Sequence, residues 1–263
     1  MRLWSGSFLW YNGNTMETID LTGLAPAVAA KVHPMISEIA AMHAPNIHSV
    51  HIAGSAVLPD YDEKLSNVNS VVVLHAMDLK FVEFLAPLGK KYGKQKIAAP
   101  LLMTPEYIRT SLDSFPVEFL DLKLIHKTVY GSDLLQDLQI KNADLRIQCE
   151  REVKTKLIHL RQGYLSSLGE KKQLSAVLVR SFTGSMALFR AIIALLGKEP
   201  PVPRKDVIQL FCSSTATRTG LFDALLSLKA GTLKPSEPEL RSLFELYYEA
   251  LESAGRTIDA LSA

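Results

Sequence analysis

Two short polar groups in the stretch 48–74, one ending an apolar run and one opening another, are the residues best suited to chemistry. Gly54-Ser55 closes a run in which Val50 and Ile52 alternate with His51 and Ala53, and Ser66-Asn67-Val68-Asn69 opens the run Val71-Val72-Val73-Leu74. A residue without a Cβ lets a phosphate approach the backbone, and a serine hydroxyl with nearby amides can donate to it. The rival reading of Gly54-Ser55 is a plain strand-to-helix turn, and one short motif does not separate the two. Asn67 and Asn69 offer neutral donors and acceptors, and asparagine at a strand end often bonds the local backbone. Between the two groups lies the acidic, turn-rich loop Pro59-Asp60-Tyr61-Asp62-Glu63-Lys64. Asp60, Asp62 and Glu63 read as a solvated loop, the alternative being that one of them swings in as a working carboxylate.

Other reactive side chains are less suggestive. The seven histidines show no metal-ligand spacing, and His48 and His51 leave an extended chain in opposite or nearly opposite directions. There is no Gly-x-Ser-x-Gly elbow and no P-loop. Cys149 lies on an apolar helical stripe and reads as core. With Cys212 it makes two cysteines, too few for a disulfide framework, and a reducing cytoplasm is the natural expectation. The basic face Arg146, Arg151, Lys154 and Arg161 could meet phosphates, but interleaved Glu150 and Glu152 allow local pairing on a solvated helix.

The order of apolar strand, Gly-Ser, loop and Ser-x-Val-x before a second apolar strand resembles the nucleotidyltransferase domain of the DNA polymerase β superfamily, in the branch with kanamycin and streptomycin adenylyltransferases. The resemblance covers residues 24–125, with a weaker echo in the helical remainder. In that family the second group reads Ser-Asp-x-Asp, and its two carboxylates hold magnesium; here those positions are Asn67 and Asn69. The resemblance implies nucleotide or phosphate contact by Gly54, Ser55, Ser66, Asn67 and Asn69. A third family carboxylate stands on a neighbouring strand. The strand expected at 97–103 carries none, so Glu118 and Asp121 are the nearest catalytic candidates, the plainer reading being carboxylates paired with Lys123 or Lys127.

Charge decides what this difference means. Nucleotidyl transfer asks the protein for positioned divalent cations rather than covalent chemistry. Magnesium is usually held by one or two carboxylates with phosphate oxygens and water, and an asparagine carbonyl brings no charge. Two Asp-to-Asn exchanges therefore predict absent or severely weakened metal-dependent catalysis. The leading expectation is a catalytically degenerate nucleotidyltransferase-like protein that binds a nucleotide or phosphate in an interdomain cleft and needs no metal. Two alternatives stand beside it. One is an active magnesium-dependent enzyme moving a nucleoside monophosphate to a small molecule or protein. The other is an interaction module acting as a homodimer or with a protein partner.

The elements that must position these residues follow from periodicity. Residues 24–43 repeat apolar side chains at helical spacing and lead into the strand before Gly54. A helix is expected over 78–92, with Leu79, Val82, Leu85 and Leu88 on its stripe, then a strand over 97–103 and a helix start at Thr104-Pro105-Glu106. Residues 115–122 read as a strand. Residues 126–144 are turn-rich and read as a domain junction. Beyond it the pattern is helical: 143–168 with Asn142 as cap, 173–196, 205–211, 221–228 and 237–261. Arg180 and Arg190 interrupt the second of these and argue against a membrane span. The fold class is α+β: a nucleotidyltransferase-like mixed sheet domain over 21–135, then an antiparallel helical bundle over 136–263. Residues 1–20 read as a flexible tail, with Met16 a candidate start and an aromatic arm that docks on a partner as the rival reading; no secretory signal pattern is present. With 263 residues there is ample core, and a net charge of +2 gives no strong pull toward nucleic acid or an anionic membrane.

Overall fold

The computed structural model describes residues 9–10, 17–59, 61–63 and 66–261. Met16, Asp60 and most of the aromatic N-terminal segment lie outside them. The chain divides into two compact units, residues 1–112 with 122–138, and residues 113–121 with 139–263.

In the first unit β1 (Leu9–Trp10) and β2 (Glu17–Thr18) pair antiparallel. The helix α1 (Pro26–His43) follows, with Pro26 in its first turn, where a missing N–H costs nothing. Val28, Val32, Met35, Ile36 and Ile39 recur at helical spacing and are all buried. A 3-10 turn, Ala44–Asn46, feeds β3 (Ile47–Ala53), and a second, Gly54–Val57, ends it. The strand β4 (Asn69–Leu74) returns antiparallel to β3. The helix α2 (Leu79–Gly93) is capped by the Asp78 carboxylate, which accepts the Lys80 N–H. The strand β5 (Leu101–Met103) runs parallel to β4, and α3 (Pro105–Ser111) starts where the Thr104 hydroxyl accepts the Tyr107 N–H. After α4 (Pro116–Leu124), β6 (His126–Gly131) pairs antiparallel with the free edge of β3. The sheet order is β5-β4-β3-β6. Asp20 is tied to β6 by its N–H to Val129 O and by Lys127 at 2.7 Å.

Side chains alternate across a sheet, and here the two faces differ in kind. Val50, Ile52, Val72 and Leu74 join Val28, Val32, Ile36 and Ile39 of α1 in one core. The opposite face carries Ser49, His51 and Ala53 of β3, directly across from Val73, Val71 and Asn69 of β4. On the other side of β3, Thr128 lies across from His51 and His126 across from Ala53.

The second unit is helical: α5 (Asn142–Ser166), α6 (Lys171–Thr183), α7 (Met186–Leu195), α8 (Arg204–Ser214), α9 (Thr219–Ala230) and α10 (Glu237–Asp259). Its core gathers Leu145, Cys149 and Val153 of α5 with Phe189, Phe211, Phe222 and Tyr247. Phe189 and Phe211 stack at 3.9 Å. The Tyr247 hydroxyl is buried and reaches Ser185 at 3.2 Å and Ser181 at 3.3 Å.

Several expectations are corrected. Residues 115–122 are not a strand. They fall mainly in α4, where Val117 and Leu120, three apart, meet the core of the helical unit, and Gln148 Oε1 accepts the Val117 N–H at 2.8 Å. A short apolar run with period-two spacing fits either structure until its packing partners are known. The turn-rich stretch 126–144 contains the fourth strand, β6. The stripe of α2 is rotated: Phe81, Leu85 and Tyr92 are buried, while Leu79 and Val82 are exposed. The expected helix over 173–196 breaks at Gly184-Ser185 into α6 and α7, bent by 46°. Ser185 is buried and bonds Ser181 O and Tyr247, so the break is held by specific polar contacts. Lys141 rather than Asn142 occupies the cap of α5. No single described helix is long and apolar enough to cross a membrane; the bent pair α6–α7 passes on length and composition alone.

Candidate functional site

The turn after β3 is placed by backbone bonding on both sides. Ala53 pairs with Asn69 across β4 and with His126 across β6. Gly54 then turns with φ +69°, a left-handed conformation that L side chains adopt only at a cost. Its N–H donates to Ile125 O at 3.0 Å. A Cβ built at Gly54 would lie 3.7 Å from the Asn69 amide nitrogen, so the Gly54 backbone and the Asn69 side chain are neighbours. Ser55 is half-buried in the 3-10 turn, and its carbonyl accepts the Leu58 N–H at 3.1 Å.

Ser66 ends the polar loop, with its N–H on Asp62 O and its carbonyl accepting the Tyr61 hydroxyl. Val68 is fixed by bonds to Lys96 O and from Ala98 N, which place Asn67 and Asn69 on either side of it. Both asparagines are exposed. Two residues apart on an extended segment, they share the face of Ala53 and His126. The fold therefore brings Gly54 and Asn69 together, with Ser55 next along the chain from Gly54 and Asn67 two residues before Asn69. Of the acidic loop, Glu63 is paired with Lys31 at 3.1 Å.

Glu118 and Asp121 lie on α4, and each is held by a partner in the helical unit. Gln148 Nε2 donates to Glu118 at 2.7 Å and to Glu152 at 2.8 Å. Asp121 faces Arg190 at 2.8 Å, and that guanidinium also donates to Pro201 O and Val202 O. Burial pushes the Asp121 carboxyl up, against the pull of Arg190. The expected partners are engaged elsewhere: Lys123 bonds Leu138 O, and Lys127 bonds Asp20. The basic face of α5 is locally paired, with Arg146 and Lys154 both on Glu150. Cys149 and Cys212 are buried and free, and burial pushes both thiols up, Cys212 to about 11.

A second polar cluster lies on the same sheet face. His51 is fully buried, with Nε2 2.8 Å from Ser49 Oγ and Nδ1 2.9 Å from Thr128 Oγ1. Its ring centre is 5.6 Å from that of His126. Burial, reinforced by His126 and opposed by Asp133, pushes the His51 imidazole down to about 4. His126 Nδ1 donates to Leu122 O at 2.7 Å, and its Nε2 lies 3.0 Å from both oxygens of Asp133. Burial acts to raise the Asp133 carboxyl, but bonds from His126, Thr128 and the Leu135 N–H hold it below its ordinary value. Spacing along the chain gave no sign of this grouping, because it needs β6 laid against β3. The signal that was present is the run 126–131, with Thr128, Val129 and Tyr130 β-prone before a turn glycine.

No family model matches this chain, and no curated protein matches it. Among solved structures it is similar to spectinomycin adenyltransferase from Enterococcus faecialis, determined with ATP and spectinomycin. The likeness has a TM-score of 0.50 at 11% identity and covers 86% of this chain and 98% of that one. At that identity the match speaks for architecture: this chain has the α+β fold of a nucleotidyltransferase of the aminoglycoside adenylyltransferase type, a mixed four-stranded sheet with helices followed by a helical region.

Proposed function

We propose that the protein binds a nucleotide through its phosphates at the Gly54-Ser55 turn and does not carry out magnesium-dependent nucleotidyl transfer. The observation that carries this reading is the exposed, uncharged pair Asn67 and Asn69 beside that turn, on the face where the fold family keeps carboxylates. The family's magnesium ions do not fit this donor set. Two amide carbonyls supply no charge to offset a dication, which is ordinarily held through carboxylates. What the turn does offer is donors: the Ser55 hydroxyl and the side-chain amides of Asn67 and Asn69, suited to phosphate oxygens without a bridging metal. The solved neighbour's ATP supports a nucleotide as the ligand class.

Titration calorimetry with ATP, in chelator and then with millimolar Mg2+, tests this. The expected result is binding whose Kd is unchanged by magnesium and at least tenfold weaker in Ser55→Ala. In Asn67→Asp/Asn69→Asp the two added charges should reverse the pattern, weakening metal-free ATP binding and making binding magnesium-dependent. Metal-dependent formation of a nucleotidylated product by the unaltered protein, or no ATP binding at millimolar concentration, overturns the reading.

A further inference from the structure

The geometry points to a site for a divalent transition-metal ion of the zinc class, formed by His51, His126 and Asp133 on the polar face of the sheet. One ligand atom from each residue lies within 4.8 Å of the other two. All three belong to the first unit.

His126 Nδ1 is 2.7 Å from Leu122 O, and a carbonyl can only accept, so Nδ1 carries a proton. The neutral ring then presents a lone pair at Nε2. That atom lies 3.0 Å from both Asp133 oxygens, which are acceptors as well. Acceptors at that separation repel unless something positive lies between them. A proton can fill the role by making an imidazolium. A metal ion fills it by taking both atoms as ligands, and a histidine whose other nitrogen is fixed by a backbone carbonyl is the usual arrangement at such ions.

The remaining geometry suits the metal. Asp133 Oδ1 accepts the N–H groups of Leu135 and Gln136 at 3.0 and 3.2 Å, which orients the carboxylate so that both its oxygens face His126 Nε2. Neighbouring donors around tetrahedral zinc are about 3.3 Å apart, close to the His126–Asp133 separation already present. His51 completes the set by exchanging one of its two hydroxyl bonds, to Ser49 or Thr128, for the metal, and has to close by no more than about 1.5 Å to reach that spacing. Two imidazoles and one carboxylate favour zinc or a similar first-row ion over magnesium, which takes oxygen ligands. Asp133 is exposed where His51 is buried, so a water ligand would enter from the Asp133 side.

The test uses the full-length protein, stripped with a chelator and titrated with Zn2+ against a chromophoric competitor, then with Co2+ to read its visible d–d bands. One equivalent of Zn2+ should bind with a Kd of about 1 µM or tighter, and Co2+ should show bands that Zn2+ abolishes. Asp133→Asn keeps an oxygen for the Leu135 and Gln136 N–H groups and so preserves the turn; it should weaken Zn2+ at least tenfold, as should His126→Gln. Absence of stoichiometric uptake, or uptake undiminished in both variants, overturns the site and leaves an imidazolium–carboxylate contact. The readout involves no nucleotide, so it stands or falls apart from the function proposed above.

Discussion

At the scale of single residues, His51 shows how one buried ring sets a pH response. Its ordinary value is 6.5 and its folded value about 4, with burial the largest cause. Above the ordinary value both folded and unfolded chains hold it neutral. As pH falls below that, the unfolded chain takes up a proton that the folded chain refuses, and stability drops until the folded ring also protonates. Asp133, held below its ordinary carboxylate value, acts in the same sense but in a lower window, so it does not mask this step. The whole step is worth about 3 kcal/mol, and about 2 kcal/mol of it should appear between pH 7.5 and 5. Urea unfolding with chelator present, run on the unaltered chain and on His51→Asn, measures it. The variant should lose that part of the slope; equal slopes would mean that His51 titrates as it does when unfolded.

At the scale of elements, two glycines with nearly equal φ make opposite predictions. Gly131 has φ +70°, and a Cβ there would lie 2.1 Å from His48 O, a backbone atom in β3 that cannot swing aside. Gly131→Ala should therefore break the pairing of β6 with β3 at Ser49 and cost more than about 3 kcal/mol. At Gly54 the nearest atom is a side-chain amide at an ordinary 3.7 Å. Gly54→Ala should cost only the left-handed strain, about 1 kcal/mol. If thermal unfolding ranks the two the other way, the packing of β6 is misjudged. The same strand marks the limit of what the sequence made legible. The helix at 24–43, the strands flanking Gly54-Ser55 and the helix start at Thr104-Pro105-Glu106 could be read because the evidence was local: a period, a turn residue, a proline suited to the first helical position. The strand β6 could not, because Gly131-Ser132-Asp133 reads as a junction unless one knows that β3 has an open edge. The error at 115–122 has the same origin. Val117 and Phe119 alternate as in a strand, and only the Gln148 side chain on α5, 31 residues away, shows that the Val117 N–H starts a helix. Neither the Gly54–Asn69 contact nor the His51–His126–Asp133 grouping is a pattern along the chain; both come from register.

At the scale of the whole molecule, the helical unit borrows a segment from the middle of the chain. Residues 113–121 belong with 139–263 although 122–138 return to the first unit. The loan is chemically specific. Arg190 has a side chain only 4% exposed, and Asp121 is the counter-charge facing it. Gln148 is buried, and its Oε1 has the Val117 N–H as donor. Val117 itself sits in the helical core. A fragment 139–263 would keep its six helices but strand a guanidinium in the interior, a loss of about 3–5 kcal/mol. Against a typical domain stability of about 5–15 kcal/mol, that deficit, with the lost Val117 burial, takes the fragment to the edge of folding. A fragment 113–263 retains Asp121, Glu118 and Val117. Urea titrations followed by near-ultraviolet circular dichroism should give a cooperative transition for 113–263 and a shallow or absent one for 139–263. In the full chain, Asp121→Ala should reproduce much of the deficit. If 139–263 unfolds as cooperatively as the longer fragment, the 113–121 segment is a passenger and Arg190 finds its stabilisation in the Pro201 and Val202 carbonyls alone.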